Sequence, residues 1–163
     1  MKTVDIAYAG RTVALPDSAV YAKFYRKLVA GSWEPHTFEV LARNLDPGTV
    51  YVDIGAWIGV TPFWASHSAK CVIAIEPDPK CCEILKALAP GYENVKIIEG
   101  ALSADKVVTL HAVGEFGSSE TSLLDIGEGS SVEAAGIAME EIMRHAGTCR
   151  VERIMKPYLE AIA

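Results

Sequence analysis

The chain has 163 residues, half of them hydrophobic and 22% charged, with a formal net charge of −6. That profile suits a single soluble globular domain, 1–163, rather than a disordered chain. The acidic balance argues against a nucleic-acid partner, which needs clustered Lys and Arg, and no run of about 18 apolar residues is present to cross a membrane.

Residues 1–48 read as an N-terminal hairpin and helical cap. Thr3–Tyr8 and Thr12–Leu15 look like short strands around Ala9-Gly10-Arg11. Asp17 or Ser18 can cap a helix running to about Ala30, with Val20, Phe24 and Leu28 spaced for one buried face, and Gly31 ends it. A second helix starts near Pro35 with Phe38, Leu41 and Leu45 inward, and Asp46-Pro47-Gly48 stops it.

Residues 49–163 read as an α/β core. Thr49–Ile54 is a strand, Pro62–Ser68 a helix, Cys71–Ile75 a strand, Lys80–Leu88 a helix and Val95–Ile98 a third strand. This alternation predicts a parallel sheet with right-handed crossovers, and the continuous apolar strands predict a sheet covered on both faces. Beyond Ser103 the alternation stops: Val107–Val113 is a strand, Gly114–Thr121 a Gly/Ser-rich loop and Asp125–Ser131 a polar turn. Met139–His145 is helical, and Val151–Met155 is one more strand before Pro157.

The most informative stretch is VYVDIGAWIGV, Val50–Val60. A buried strand ends in Asp53, Gly55 and Gly59 make a tight turn, and Thr61-Pro62 open a helix. Glu76 stands 17 residues after Gly59, at the carboxyl end of the next strand. An acid in that place can accept both hydroxyl hydrogens of an adenosine ribose. A dinucleotide prefers G-x-G-x-x-G, whereas the turn here is Gly55-Ala56-Trp57-Ile58-Gly59, and Asp53 would face a pyrophosphate unfavourably. S-adenosylmethionine carries a sulfonium and an ammonium, and suits an acidic strand end better.

Several linked segments are similar to one family. They are Glu34-Pro35, VDIGAWIGV at Val52–Val60, IAIEPDP at Ile73–Pro79, NVKIIEGALS at Asn94–Ser103, and the GSS of Gly117–Ser119. In that order, over Ser32 to Ile154, the chain resembles the FkbM-type S-adenosylmethionine-dependent methyltransferases, which mostly methylate hydroxyl oxygens. The resemblance implies a three-layer, Rossmann-like class I methyltransferase fold and a small-molecule or sugar acceptor. It places Asp53, Gly55, Ala56 and Gly59 along the cofactor turn, Glu76 on the ribose, and Pro77, Gly100 and Ala101 around the adenine. It also brings Glu34, Ser118 and Ser119 to the pocket, and Trp57, by its own chemistry, is a further candidate for the pocket wall.

Two departures stand out. The family usually has Asn where this chain has Trp57, so an indole would narrow the pocket. The family's KxDxEG segment is replaced by Met155-Lys156-Pro157, with Pro157 near the expected acid, so no catalytic residue is assigned. The expectation is a fold truncated after about the fourth core strand, whose exposed edge favours a homo-oligomer, a dimer in the simplest case. Two other functions stay open: a catalytically inactive binding or assembly module, and a dinucleotide-binding domain.

The remaining side chains carry less. Cys71, Cys81, Cys82 and Cys149 show neither CxxC nor zinc-like spacing with the four histidines, so no metal is expected. A disulfide between adjacent Cys81 and Cys82 would be strained, which predicts reduced thiols and, with no signal-peptide pattern at Met1–Gly10, a cytoplasmic protein.

Overall fold

The computed structural model describes residues 1–112, 116–117, 121–123, 129–147 and 153–155. Two strands, β1 (Thr3–Tyr8) and β2 (Arg11–Pro16), form an antiparallel hairpin with Tyr8 opposite Arg11. A 3₁₀ turn at Ala19–Tyr21 leads into α1 (Ala22–Val29), and α2 follows at Pro35–Asn44. Next come β3 (Thr49–Ile54), α3 (Val60–Ser66), β4 (Cys71–Glu76), α4 (Pro79–Leu88) and β5 (Val95–Glu99). The rest comprises β6 (Ala101–Leu102), β7 (Val107–Ala112), β8 (Thr121–Ser122), β9 (Ser130–Ile137), α5 (Met139–Gly147) and β10 (Arg153–Met155).

A four-stranded parallel sheet in the order β10-β3-β4-β5 forms the centre. Side chains alternate across it with the period of two that a strand imposes. Tyr51, Val72 and Ala74 pack on one side with Phe63, Trp64 and Leu85 of the crossover helices. Val50, Val52, Ile73 and Ile75 pack on the other side with Ile142 and Ala146 of α5. The result is an α/β fold in three layers, with helices on both faces of a parallel sheet. Counting strands of this sheet as the chain reaches them, its order is 4-1-2-3, the central part of the doubly wound Rossmann arrangement.

The hairpin and the first two helices lie on the first of these faces. Leu15, Leu28, Phe38 and Leu41 share one buried cluster with Tyr51 and Phe63. Arg11 donates to the Trp64 carbonyl at 2.7 Å and to Ser68 Oγ at 2.6 Å, with its guanidinium 3.8 Å from the Trp64 ring centroid. A cation stacked on indole and hydrogen-bonded along its edge ties the hairpin turn to the end of α3.

Three expectations need correction. Val20 does not face the core; it is 80% exposed, and Tyr21, Tyr25 and Leu28 are buried instead. The first turn is 3₁₀, capped by the Ser18 side chain, and this tighter winding rotates the helix so that its two tyrosines point inward. The helix after the glycine turn starts at Val60 rather than Pro62, with Gly59 as its N-cap. The polar stretch expected to turn at Asp125–Ser131 instead enters a strand at Ser130, and β9 runs eight residues to Ile137. It pairs antiparallel with β7, from Val107 opposite Ala135 to Ala112 opposite Ser130, and parallel with β6. Ala134, Ala135 and Gly136 have little intrinsic strand preference, so pairing partners decide their conformation.

Candidate functional site

Strand order reverses at β3. From β3 the chain steps outward to β4 and β5, then returns through a further sheet of order β6-β9-β7-β8 and through α5 to place β10 on the opposite side of β3. In open α/β sheets such a reversal leaves a crevice beyond the carboxyl ends of the strands, where loops diverge to opposite faces. Asp53 and Glu76 sit at the ends of β3 and β4, beside that crevice.

Both acids are buried, at 1% and 5% exposure. Asp53 Oδ2 accepts from Thr61 Oγ1 at 2.7 Å and Oδ1 from the Tyr51 hydroxyl at 3.2 Å. Burial pushes the Asp53 carboxyl up to about 6, the two hydroxyl donors pull it down, and the nearby Glu34 charge adds to the rise. Glu76 Oε2 accepts from the Trp57 backbone N–H at 2.7 Å, and Oε1 from the Asp78 N–H at 2.8 Å. Burial pushes its carboxyl up to about 7, against those two donors, with Asp78 and Asp53 charges adding to the rise. The crevice is therefore edged by carboxylates that are strained in their ionised form, a condition a cationic ligand would relieve.

The glycine turn is built around these acids. Gly55 and Ala56 both donate their N–H groups to the Ile75 carbonyl, at 2.9 and 3.1 Å, which locks the turn to β4. Gly55 is exposed, with open space where a side chain would project. Ala56 is buried. Trp57 takes a left-handed backbone at φ +48°, and its indole N–H donates to the Gly117 carbonyl at 3.2 Å. The Gly117 N–H in turn donates to Asp78 Oδ2 at 2.6 Å.

Other residues singled out from the sequence fall as follows. Glu34 precedes α2 in a left-handed conformation (φ +42°) and accepts from Thr37 Oγ1 at 3.2 Å. Its charge is felt by Asp53 and by Tyr8, whose hydroxyl is raised by burial first and by Glu34 second. Pro77 lines a cavity of ≈ 320 Å³ with Pro79, Glu99 and the β9 stretch from Val132 to Ala135. Gly100 donates to the Glu76 carbonyl at 2.9 Å, and a Cβ there would come 2.6 Å from Ile137 and 2.7 Å from the Ala135 carbonyl. So β9 closes directly on Gly100, and Ala101 pairs with Gly136 of that strand. Ser118 and Ser119 lie outside the described residues.

Tyr51, Thr61, Asp78 and Tyr21 belong to the site's hydrogen-bond network and were not expected from sequence. Asp78 carried a usable signal, since an acid before Pro79 at a helix start reads as an N-cap, which it is. A larger cavity of ≈ 730 Å³ lies between the hairpin turn, the end of α1 and α2, and shares no residue with the strand-end site. Among the described residues no group of three His, Cys, Asp or Glu side chains could hold a metal, and no helix is long and apolar enough to cross a membrane.

No family model and no curated protein matches the sequence. Among solved structures, Trm5b from Pyrococcus abyssi is similar with a TM-score of 0.40 and 17% identity, over 60% of this chain and 28% of that one. TYW2 from P. horikoshii, solved in complex with MeSAdo, is similar with a TM-score of 0.38 and 20% identity, over 60% of this chain and 35% of its own. The chain thus spans about a third of the length of these two proteins.

Proposed function

We propose that this chain binds S-adenosylmethionine and is a methyltransferase domain of the FkbM type, with a hydroxyl of a small molecule or sugar as acceptor. The observation that carries the reading is the pair of buried acids, Asp53 and Glu76, on adjacent strand ends at the reversal of strand order. The donor set fits this cofactor. Glu76 is held from behind by two backbone N–H groups and keeps lone pairs for two ribose hydroxyls. Asp53 and Glu34 supply negative charge for an ammonium group, and Gly55 leaves room for close approach.

The same geometry weighs against a dinucleotide. A pyrophosphate needs free backbone N–H groups at the turn, and those of Gly55 and Ala56 are already spent on Ile75. It would also lie against two buried acids.

When bound, S-adenosylmethionine supplies an electrophilic methyl group, and transfer then depends on positioning the acceptor oxygen and removing its proton. Glu76 would hold the nucleoside and the Asp53 network the amino-acid end. In this reading Glu76 is committed to the ribose and Asp53 to the amino-acid end of the cofactor, so neither is assigned as the base that takes the acceptor proton. The sequence after β10 reads Lys156-Pro157, without the acid the resemblance expects. That favours, as a second reading, a domain that binds the cofactor without turning it over.

Calorimetry separates these readings. S-adenosylhomocysteine is expected to bind and NAD to give no heat; binding of NAD alone overturns the proposal. Methyl release in the presence of hydroxylated acceptors then distinguishes an active enzyme from a binding module.

A further inference from the structure

Trp57 combines two features that seldom occur together: a bulky side chain and a left-handed backbone. The conformation suits Gly or Asn, whereas an aromatic residue holds it only when its surroundings over-determine it. The surroundings here do so. The indole packs edge-to-face on Phe24, with ring centroids 4.7 Å apart, and on Tyr21 at 5.8 Å. Its N–H donates to the Gly117 carbonyl, which the Tyr21 hydroxyl also reaches at 3.4 Å. Three residues from two separate segments therefore grip the ring. What the strained backbone delivers is one N–H aimed at Glu76 Oε2 from 2.7 Å.

We infer that Trp57 is a positioning residue: its anchored indole holds the left-handed turn whose N–H orients the Glu76 carboxylate for a ribose. The inference rests on the cofactor reading above and adds to it a cause for ribose selectivity. The carboxylate has two tethers, Trp57 from the β3 turn and Asp78 from the β4 loop. With only the second, it can swing about its side-chain torsions and present one oxygen instead of two. The groups facing it are Asp53 on β3, Asp78 on its own loop, and Cys81 and Cys82 on α4.

The test compares Trp57→Ala with Trp57→Gly. Both remove the indole, but only glycine enters the left-handed region freely. Affinities for S-adenosylhomocysteine and its 2′-deoxy analogue are measured for each, with urea unfolding as a check on folding. Wild type is expected to favour the ribose form by about tenfold, Trp57→Ala to lose most of that preference, and Trp57→Gly to recover part of it. A preference unchanged in Trp57→Ala, or no better in Trp57→Gly than in Trp57→Ala, overturns the inference. A second measurement needs no ligand: the Glu76 carboxyl, followed by carbon NMR, should titrate higher in Trp57→Ala than in wild type or Trp57→Gly, because a donor to its ionised form is lost. Failure of wild type to bind S-adenosylhomocysteine would sink the cofactor reading, while the carboxyl titration would still decide whether Trp57 positions Glu76.

Discussion

Replacing Gly59 with alanine is expected to destabilise the protein by about 2–4 kcal/mol. Two effects combine at this residue. Its φ of +94° is unfavourable for any side chain, and a Cβ would come 2.2 Å from Phe63 Cε2 and 3.0 Å from Leu85. The Phe63 ring cannot easily yield, because it is fully buried and stacked on Tyr92 with centroids 4.3 Å apart. Gly55→Ala is the matched control. It shares a positive φ, at +81°, but a Cβ there meets nothing within 4 Å. Strain alone should then destabilise it by about 1 kcal/mol. Urea midpoints for the two variants measure the difference, and equal losses would show that Phe63 does not set the requirement for glycine.

Unliganded protein is expected to lose stability as the pH rises from about 5 to about 8. Unfolded carboxyls ionise near pH 4. In the folded chain Asp53 is pushed up to about 6 and Glu76 to about 7, both by burial first. Between those values the folded state holds protons that the unfolded state has released, so the two groups stabilise the fold at low pH. That contribution is lost as the pH rises through 6 and then 7. At about 1.4 kcal/mol per pK unit the full contribution is on the order of 3 kcal/mol for each group, of which about 1–2 kcal/mol for Asp53 and about 3 kcal/mol for Glu76 are lost above pH 5. Urea titrations at both pH values test this, with Asp53→Asn and Glu76→Gln each expected to flatten the trend. Stability that rises with pH in wild type, or a trend unchanged in both variants, would refute the assignment. The proposed ligand should show the opposite dependence. If binding needs Glu76 ionised, affinity for S-adenosylhomocysteine should be about tenfold weaker at pH 6 than at pH 8.

The two predictions concern neighbouring parts of one turn. Gly59 lets the chain pass close beneath Phe63 and begin α3 at once, and this fixes Thr61 where its hydroxyl meets Asp53. The same turn carries the Trp57 N–H to Glu76. A methyl-sized intrusion at Gly59 should therefore disturb both acids as well as the core.

Much of this was readable from residue order. Period-two and period-3.6 hydrophobicity, with Pro, Gly and Asp as punctuation, located β1 to β5 and α1 to α4 to within a few residues. It also placed Asp53 and Glu76 at strand ends, because an acid that ends a continuous apolar run has little choice but to lie at the rim of the sheet. Those signals are local and strong, so neighbours in sequence suffice to determine them.

Other features needed the assembled chain. Val20 and Tyr21 are both plausible core residues, and only the 3₁₀ phase of the first turn selects the tyrosine. The small residues of β9 become a strand through pairing with β7, more than twenty positions earlier in the chain. Trp57 reads in sequence as an indole narrowing a pocket; in the fold its backbone serves Glu76 and its ring is gripped by Tyr21, Phe24 and Gly117. The proton affinities of Asp53 and Glu76 likewise arise from burial, which no single segment contains. Hydrophobic period and turn chemistry act over a few residues, whereas register, helix phase and desolvation are properties of surfaces that meet only after the chain has folded.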